Sequence, residues 1–376
     1  MITFRRVLES LDHASQKIKR SLHYFKQPAD SGLMAWIARR GAGYRRFRIR
    51  GYAYIRGYDH MHHKLMRTTA RTAVIGAVIV LGSTAAAHGA IASPVHAGTV
   101  SVSCNTPALI SAISGASSGE KLHLAIHCTY QLTAPLPAVH TAVTIVGSAT
   151  LERSDADGTP DFTILTVAGA DVNLVEVSFR NGGGDDYDNA GAIDNTGGNI
   201  TVRGGTFTDN NNSDEGDGAI YNHSGTLTIT SAYFTQNDAA DGGAITNDAT
   251  MTLRSSHFFK NSANMGGAIY NAGTAAVIGT TFSENGAFEG GAISNTGKAA
   301  LSSVSIHNND AGVAVGGGIY NDGTLTAASS TIVHNTARFG GGGIYNGDSV
   351  TLSRTSVSGN TPDNCEPLGT IAGCSG

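Results

Sequence analysis

Charge is scarce in this chain: 14 % of its 376 residues are Asp, Glu, Lys or Arg. Cations are scarcer still over residues 98–376, which hold 9 Lys+Arg against 25 Asp+Glu. Phosphate recognition needs clustered Lys and Arg, so nucleic acid is excluded as the partner of this part. The apolar run Ala73 to Leu81 is shorter than the roughly 18 residues that a membrane span requires. No Cys-x-x-Cys occurs, which removes zinc-ribbon and thioredoxin-like readings. The 49 glycines carry no collagen period, so they serve turns.

What is present begins with a charge boundary. Residues 1–65 hold 14 Lys+Arg and 4 Asp+Glu, opposite in sign to the rest. After them comes Met66, then Arg67 and Arg71, the short apolar run, and small-x-small sites at Ala90-Ile91-Ala92 and Val95-His96-Ala97. Residues 66–97 therefore read as a secretory signal peptide, with a membrane anchor as the rival. Residues 1–65 are expected to be an over-extended reading frame outside the mature protein; the alternative is a basic arm for RNA or anionic lipid. The four cysteines, Cys104, Cys128, Cys365 and Cys374, all follow the signal, and an even count in an exported chain suggests disulfides. Four cysteines allow three pairings. The local one, Cys104–Cys128 with Cys365–Cys374, would staple both ends of the chain.

The centre of the chain repeats itself. Aligned on an isoleucine, the repeats fall at Ile193, Ile220, Ile245, Ile269, Ile293, Ile319 and Ile344, at intervals of 27, 25, 24, 24, 26 and 25. Two residues on stands Asn each time, from Asn195 to Asn346. An alternating apolar pair follows, such as Leu227/Ile229 or Met251/Leu253. Then comes Phe207, Phe234, Phe258, Phe282, Ile306, Ile332 or Val357, with a second Asn three residues later. Period-two spacing means strands with one buried face. The leucine-rich frame is missing, and propeller blades need about 40 residues. Three short strands and three turns per repeat predict an all-β fold: a right-handed parallel β-helix of three strands per rung, about ten rungs stacked about 4.8 Å apart. Like side chains then stack on like, and the asparagines pair their amides from rung to rung.

The expected organisation is a cap with a short helix over 98–121, the β-helix over 122–360, and a disulfide-pinned tail over 361–376. In "NTPALISAISGAS", Thr106 or Asn105 can cap, Pro107 takes the first helical position, and Leu109, Ile110 and Ile113 share a face.

GGAI at 242–245, 266–269 and 290–293, with F-x-x-N at 207–210, 234–237, 258–261 and 282–285, resembles the repeats of chlamydial polymorphic outer-membrane proteins. With the helix, "HCTYQLTAP" and the Cys-containing end, residues 100–376 are similar to secreted right-handed β-helix proteins of actinobacteria. The resemblance implies a pectate-lyase-like fold, many members of which cut acidic polysaccharides, and fold alone does not transfer activity. The chlamydial proteins carry a C-terminal membrane barrel; none is expected here, so autotransport is not the expected route.

Chemistry has few places to sit. "NTG" at 195–197 and Asp185-Asp186 echo parts of the polygalacturonase motifs, but Gly-His-Gly and Arg-Ile-Lys are missing. Arg180 near Asp185, Asp186 and Asp188 is the tempting cluster, and a structural salt bridge is its simpler reading. Asp185, Asp186, Asp188, Asp214 and Asp217 crowd the first loops, where calcium is the cofactor that hard oxygen ligands would take; a solubilising edge is the simpler account. The residue after each anchor isoleucine should point outward: Asp194, Tyr221, Thr246, Tyr270, Ser294, Tyr320, Tyr345. Ala or Gly two residues earlier would leave a flat floor, on which Tyr221, Tyr270, Tyr320 and Tyr345 could stack against sugar rings, or simply pack across strands. The expectation is a secreted monomer that binds a carbohydrate or cell-surface polymer without catalysis. A polysaccharide lyase or hydrolase is the alternative, and a structural rod the second.

Overall fold

The computed structural model describes residues 98–184, 189–212 and 216–374. The expected signal peptide and basic extension, residues 1–97, lie outside them. Over the described residues the chain is a right-handed parallel β-helix of about ten turns.

Each repeat contributes three strands to three faces. The first face is built of three-residue strands such as Ile245–Asn247, Ile269–Asn271 and Ile293–Asn295. The second holds five-residue strands such as Thr250–Arg254 and Thr274–Ile278. The third holds three-residue strands such as His257–Phe259 and Thr281–Ser283. All pair in parallel, and from the Ile220 strand onward there is no slip between repeats: Ile245 opposes Ile269, Leu253 opposes Val277, Phe258 opposes Phe282. The earlier pairing of the Ile193 and Ile220 strands shifts register after Asn195. Earlier rungs fuse the first two strands, as in Ile193–Arg203 and Ile220–Thr230.

The register puts identical side chains over one another inside the coil. Phe179, Phe207, Phe234, Phe258 and Phe282 form one column, with successive ring centroids 4.6–5.2 Å apart and nearly parallel planes. Each buried ring contributes about 1.5–3 kcal/mol, and each stacked pair somewhat more. Two asparagine ladders flank the apolar bore. In one, Nδ2 of Asn247 donates to Oδ1 of Asn271 at 2.7 Å, and Asn271 to Asn295 at 2.7 Å. In the other, Asn237 donates to Asn261 at 2.8 Å and Asn261 to Asn285 at 2.9 Å. Buried amides are costly unless satisfied, and here each is satisfied by its own copy.

The glycines answer to geometry. Gly266 has φ +63, and a Cβ there would lie 2.1 Å from the carbonyl oxygen of Ile269. A Cβ on Gly267 would lie 2.3 Å from the carbonyl oxygen of Gly291. The chain doubles back so tightly before each Ile strand that the preceding loop lies across the strand's outer face. These loops stack in register too, with bridges Asp241 to Met265 and Met265 to Glu289.

Both ends are closed. The helix Thr106–Ser114 has Asn105 as its N-cap, whose side chain accepts from the backbone N–H of Ala108 at 2.9 Å. Leu109 and Ile113 are buried over the first rung, whereas Ile110 is 37 % exposed and leaves the expected face. A spacing of four residues puts side chains on one helix stripe and the next residue turns away. Cys104–Cys128 ties this cap to the coil, and Cys365–Cys374 ties the tail. Cys365 pairs in register with Ile344, and Asn364 Oδ1 accepts from Asn360 Nδ2 at 3.1 Å, ending the second ladder.

Candidate functional site

The row following the anchor isoleucines is the candidate site, and its surroundings differ from the sequence expectation. The Ile strand is three residues long and begins straight after a glycine turn, so alternation does not extend back before it. The small residues before it therefore face inward. Ala219, Ala244, Ala268 and Ala292 belong to the core, and a Cβ on Gly318 would lie 3.2 Å from Ile332 Cγ2. There is no flat floor of alanines outside.

The row itself points outward but lies beneath the glycine loops. Tyr221 is 1 % exposed, which corrects the expectation of an open ring. Its hydroxyl donates to Asp248 Oδ2 at 2.9 Å and lies 2.8 Å from Nδ1 of His223. Thr246 is fully buried; its hydroxyl donates to the carbonyl of Asp241 at 2.7 Å and accepts from Gly218 N–H at 3.3 Å. Tyr270, Tyr320 and Tyr345 are half-buried, each with part of its ring in solvent. The rings of Tyr320 and Tyr345 stack at 5.5 Å with planes 3° apart. Thr296 Oγ1 donates to the Tyr270 hydroxyl at 3.5 Å.

Between Tyr270 and Tyr320, in register with both, stands Ser294. It is fully buried, and its Oγ makes no hydrogen bond. Two carboxyls that sequence reasoning missed lie close to Tyr320 in this row. Glu289, on the loop just before Gly290, is half-buried; burial first, then the charge of Asp322, push its carboxyl above its ordinary value. Asp322 sits on the turn after Asn321 and is exposed. Burial first, then Glu289 and Asp322, also push the Tyr320 hydroxyl upward. Glu289 forms no ion pair among the described residues. Glu289 stands immediately before GGAI, three residues ahead of its alanine, and Asp322 one after the ladder asparagine. Constant offsets from a repeat were the signal that could have found them.

The other expected residues are placed as follows. Asp185, Asp186, Asp188 and Asp214 lie outside the described residues. Asp217 is 2 % exposed, so it is not on a solvated edge. Among the described residues no group of three or more His, Cys, Asp or Glu is placed to hold a metal ion. Arg180 forms an ion pair with the buried Glu152, which Gln131 Nε2 also contacts at 3.0 Å. That is the structural reading of Arg180.

A second set of aromatics was missed on the third face. Tyr233, one residue before inward Phe234, is 54 % exposed and stacks on His257 at 5.0 Å. Phe259, one residue after Phe258, is 39 % exposed, with Lys260 Nζ 4.8 Å from its ring centre. Alternation about the Phe anchor places both outward, and that alternation was readable.

No family model matches the chain, and no curated protein matches it. Among solved structures it is similar to an alginate lyase from Paenibacillus sp. str. FPU-7, at 13 % identity and a TM-score of 0.44, over 70 % of this chain and 97 % of that one.

Proposed function

We propose that the chain is an exported, non-catalytic binding protein for an extended polysaccharide, which lies along the coil over Tyr270, Tyr320 and Tyr345. The observation that carries this reading is the row itself: partly exposed tyrosine rings held in strict register, with hydroxyl and carboxyl groups at each side. A polymer with a regular repeat matches a surface with a regular repeat. Tyrosine gives apolar stacking and a polar edge at low entropic cost. Export is supported by two disulfides and by the signal-like residues 66–97, and no helix among the described residues is long and apolar enough to cross a membrane. Truncating an interface aromatic commonly costs about 1 kcal/mol or more. Tyr270→Ala and Tyr320→Ala should each weaken glycan binding by that amount on an array or by calorimetry. Binding indifferent to both would remove this face.

One observation favours a catalytic reading. A half-buried carboxyl raised by burial, as Glu289 is, resembles a proton donor for glycoside cleavage. Release of reducing ends or unsaturated products from any polysaccharide by the purified chain, lost in Glu289→Gln, would establish it.

A further inference from the structure

We propose that Tyr270, Ser294, Tyr320 and Glu289 form a recognition site for the free amino group of a hexosamine, so that the polymer bound is an amino-sugar polysaccharide whose amines are not acetylated. This rests on the polysaccharide reading above and names its substrate class.

Three independent features converge. The first is the break in the row. Tyr320 and Tyr345 occupy adjacent rungs and fill the space between them by stacking. Tyr270 and Tyr320 lie two rungs apart, about 9.6 Å by strand spacing, with only a serine between them. The row is one ring short at this point.

The second is the hydroxyl of Ser294. It is fully buried and unbonded. The same position two rungs earlier shows what a satisfied hydroxyl does here: Thr246 bonds to the Asp241 carbonyl and the Gly218 N–H. Ser294 has neither, although the loop over it has the same glycines. A buried hydroxyl without a partner is costly, and a donor arriving from outside removes that cost.

The third is charge. Glu289 is half-buried on the loop across this row, Asp322 is near enough to act on its carboxyl, and no Lys or Arg pairs with Glu289 among the described residues. An anionic sugar would add a like charge, and a neutral one would leave the carboxylate uncompensated. An ammonium supplies three donors and a positive charge. It can take Glu289 as acceptor, Ser294 Oγ as another, and the faces of Tyr270 and Tyr320 as a π-lined wall. Calcium would need six to eight oxygen ligands, which this site does not assemble.

The test uses the full chain and three probes at near-neutral pH: a glucosamine tetramer, an N-acetylglucosamine tetramer, and a short lysine-rich peptide, each titrated by calorimetry. The variants are Glu289→Gln, which keeps shape and removes charge, and Ser294→Tyr, which completes the row with the residue the fold already carries at four other rungs. The expected result is that the glucosamine tetramer binds about tenfold or more tightly than its acetylated counterpart. Both variants should lose that preference while keeping the wild-type melting temperature or exceeding it. Equal binding of the two tetramers, unaffected by Glu289→Gln, would overturn the amine site and leave the polysaccharide reading standing. Binding of neither tetramer would overturn both. Tighter binding of the lysine peptide than of the glucosamine tetramer would overturn the assignment to a sugar.

Discussion

Two rows of side chains run along the same three-residue strands and face opposite ways. The inner row is asparagine in every repeat from Asn195 to Asn346. The outer row reads Asp, Tyr, Thr, Tyr, Ser, Tyr, Tyr. Burial does not explain the difference, since Tyr221, Thr246 and Ser294 are as buried as the asparagines. The difference lies in what each side chain must match. An inner asparagine donates to the copy in one neighbouring rung and accepts from the copy in the other, so its partner dictates its identity. An outer side chain answers to loop and turn atoms that vary by rung: Asp248 for Tyr221, the Asp241 carbonyl for Thr246, Thr296 for Tyr270. Uniformity marks what holds the coil together, and variation at buried positions marks where rungs were free to specialise.

The inner side of this comparison should be the more fragile. Ile269→Asp places a charge between Ile245 and Ile293, with no partner in the apolar bore. A loss of about 4 kcal/mol or more is expected, the range reserved for buried unpaired charges. Circular dichroism should show lost β signal; a folded, cooperative variant would break the inner row's claim to be structural.

Asn261→Leu, in the second asparagine ladder, whose members likewise match their own copies, should come next. The substitution leaves the backbone N–H of Asn237 without its acceptor and strips one partner from Asn237 Nδ2, from Asn285 Oδ1 and from the Phe234 carbonyl. Orphaned buried groups cost about 1–3 kcal/mol each, so a loss of about 2–4 kcal/mol in denaturant titration is expected. On the outer row, Tyr221→Phe removes the hydroxyl that donates to Asp248 and lies 2.8 Å from His223 Nδ1, and should cost about 1 kcal/mol. A Tyr221→Phe loss equal to that of Asn261→Leu would erase the distinction between the rows.

The inner row was legible because its physics repeats. Stacked rungs force Ile over Ile, Phe over Phe and Asn over Asn at a constant interval, and the two local disulfides followed from the same picture of a coil capped at both ends. The outer row was legible in direction and not in cover. Nothing in the alternation of Ile, Tyr and Asn says that the loop before GGAI returns to Thr246 through the Asp241 carbonyl, or that Asp248 and His223 close on Tyr221. The inward Ala268 and Gly318 were misread for a related reason: a glycine turn resets the alternation. Glu289 and Asp322 escaped notice because they come from two segments that meet only after the chain has turned.

The smallest expected effect also separates the rows, because its sign is opposite. Burial and Asp322 raise the Glu289 carboxyl above its ordinary value of 4.5, so the folded chain accommodates the neutral carboxyl better than the carboxylate. By linkage, the stability associated with Glu289 is fully present below pH 4.5 and is lost as pH rises through the folded-state value. Glutamine is neutral throughout and does not follow that decline. Wild type and Glu289→Gln should therefore melt together in acid, and the variant should melt higher near neutrality, where the native carboxylate is charged. A group retained for the coil's sake would show the reverse, as Asn261 should. Stability gained on removing a charged side chain is the mark of a position kept for binding rather than folding. Melting curves of both proteins across this pH range decide the matter: a Glu289→Gln variant less stable than wild type at neutral pH would place Glu289 with the structural residues.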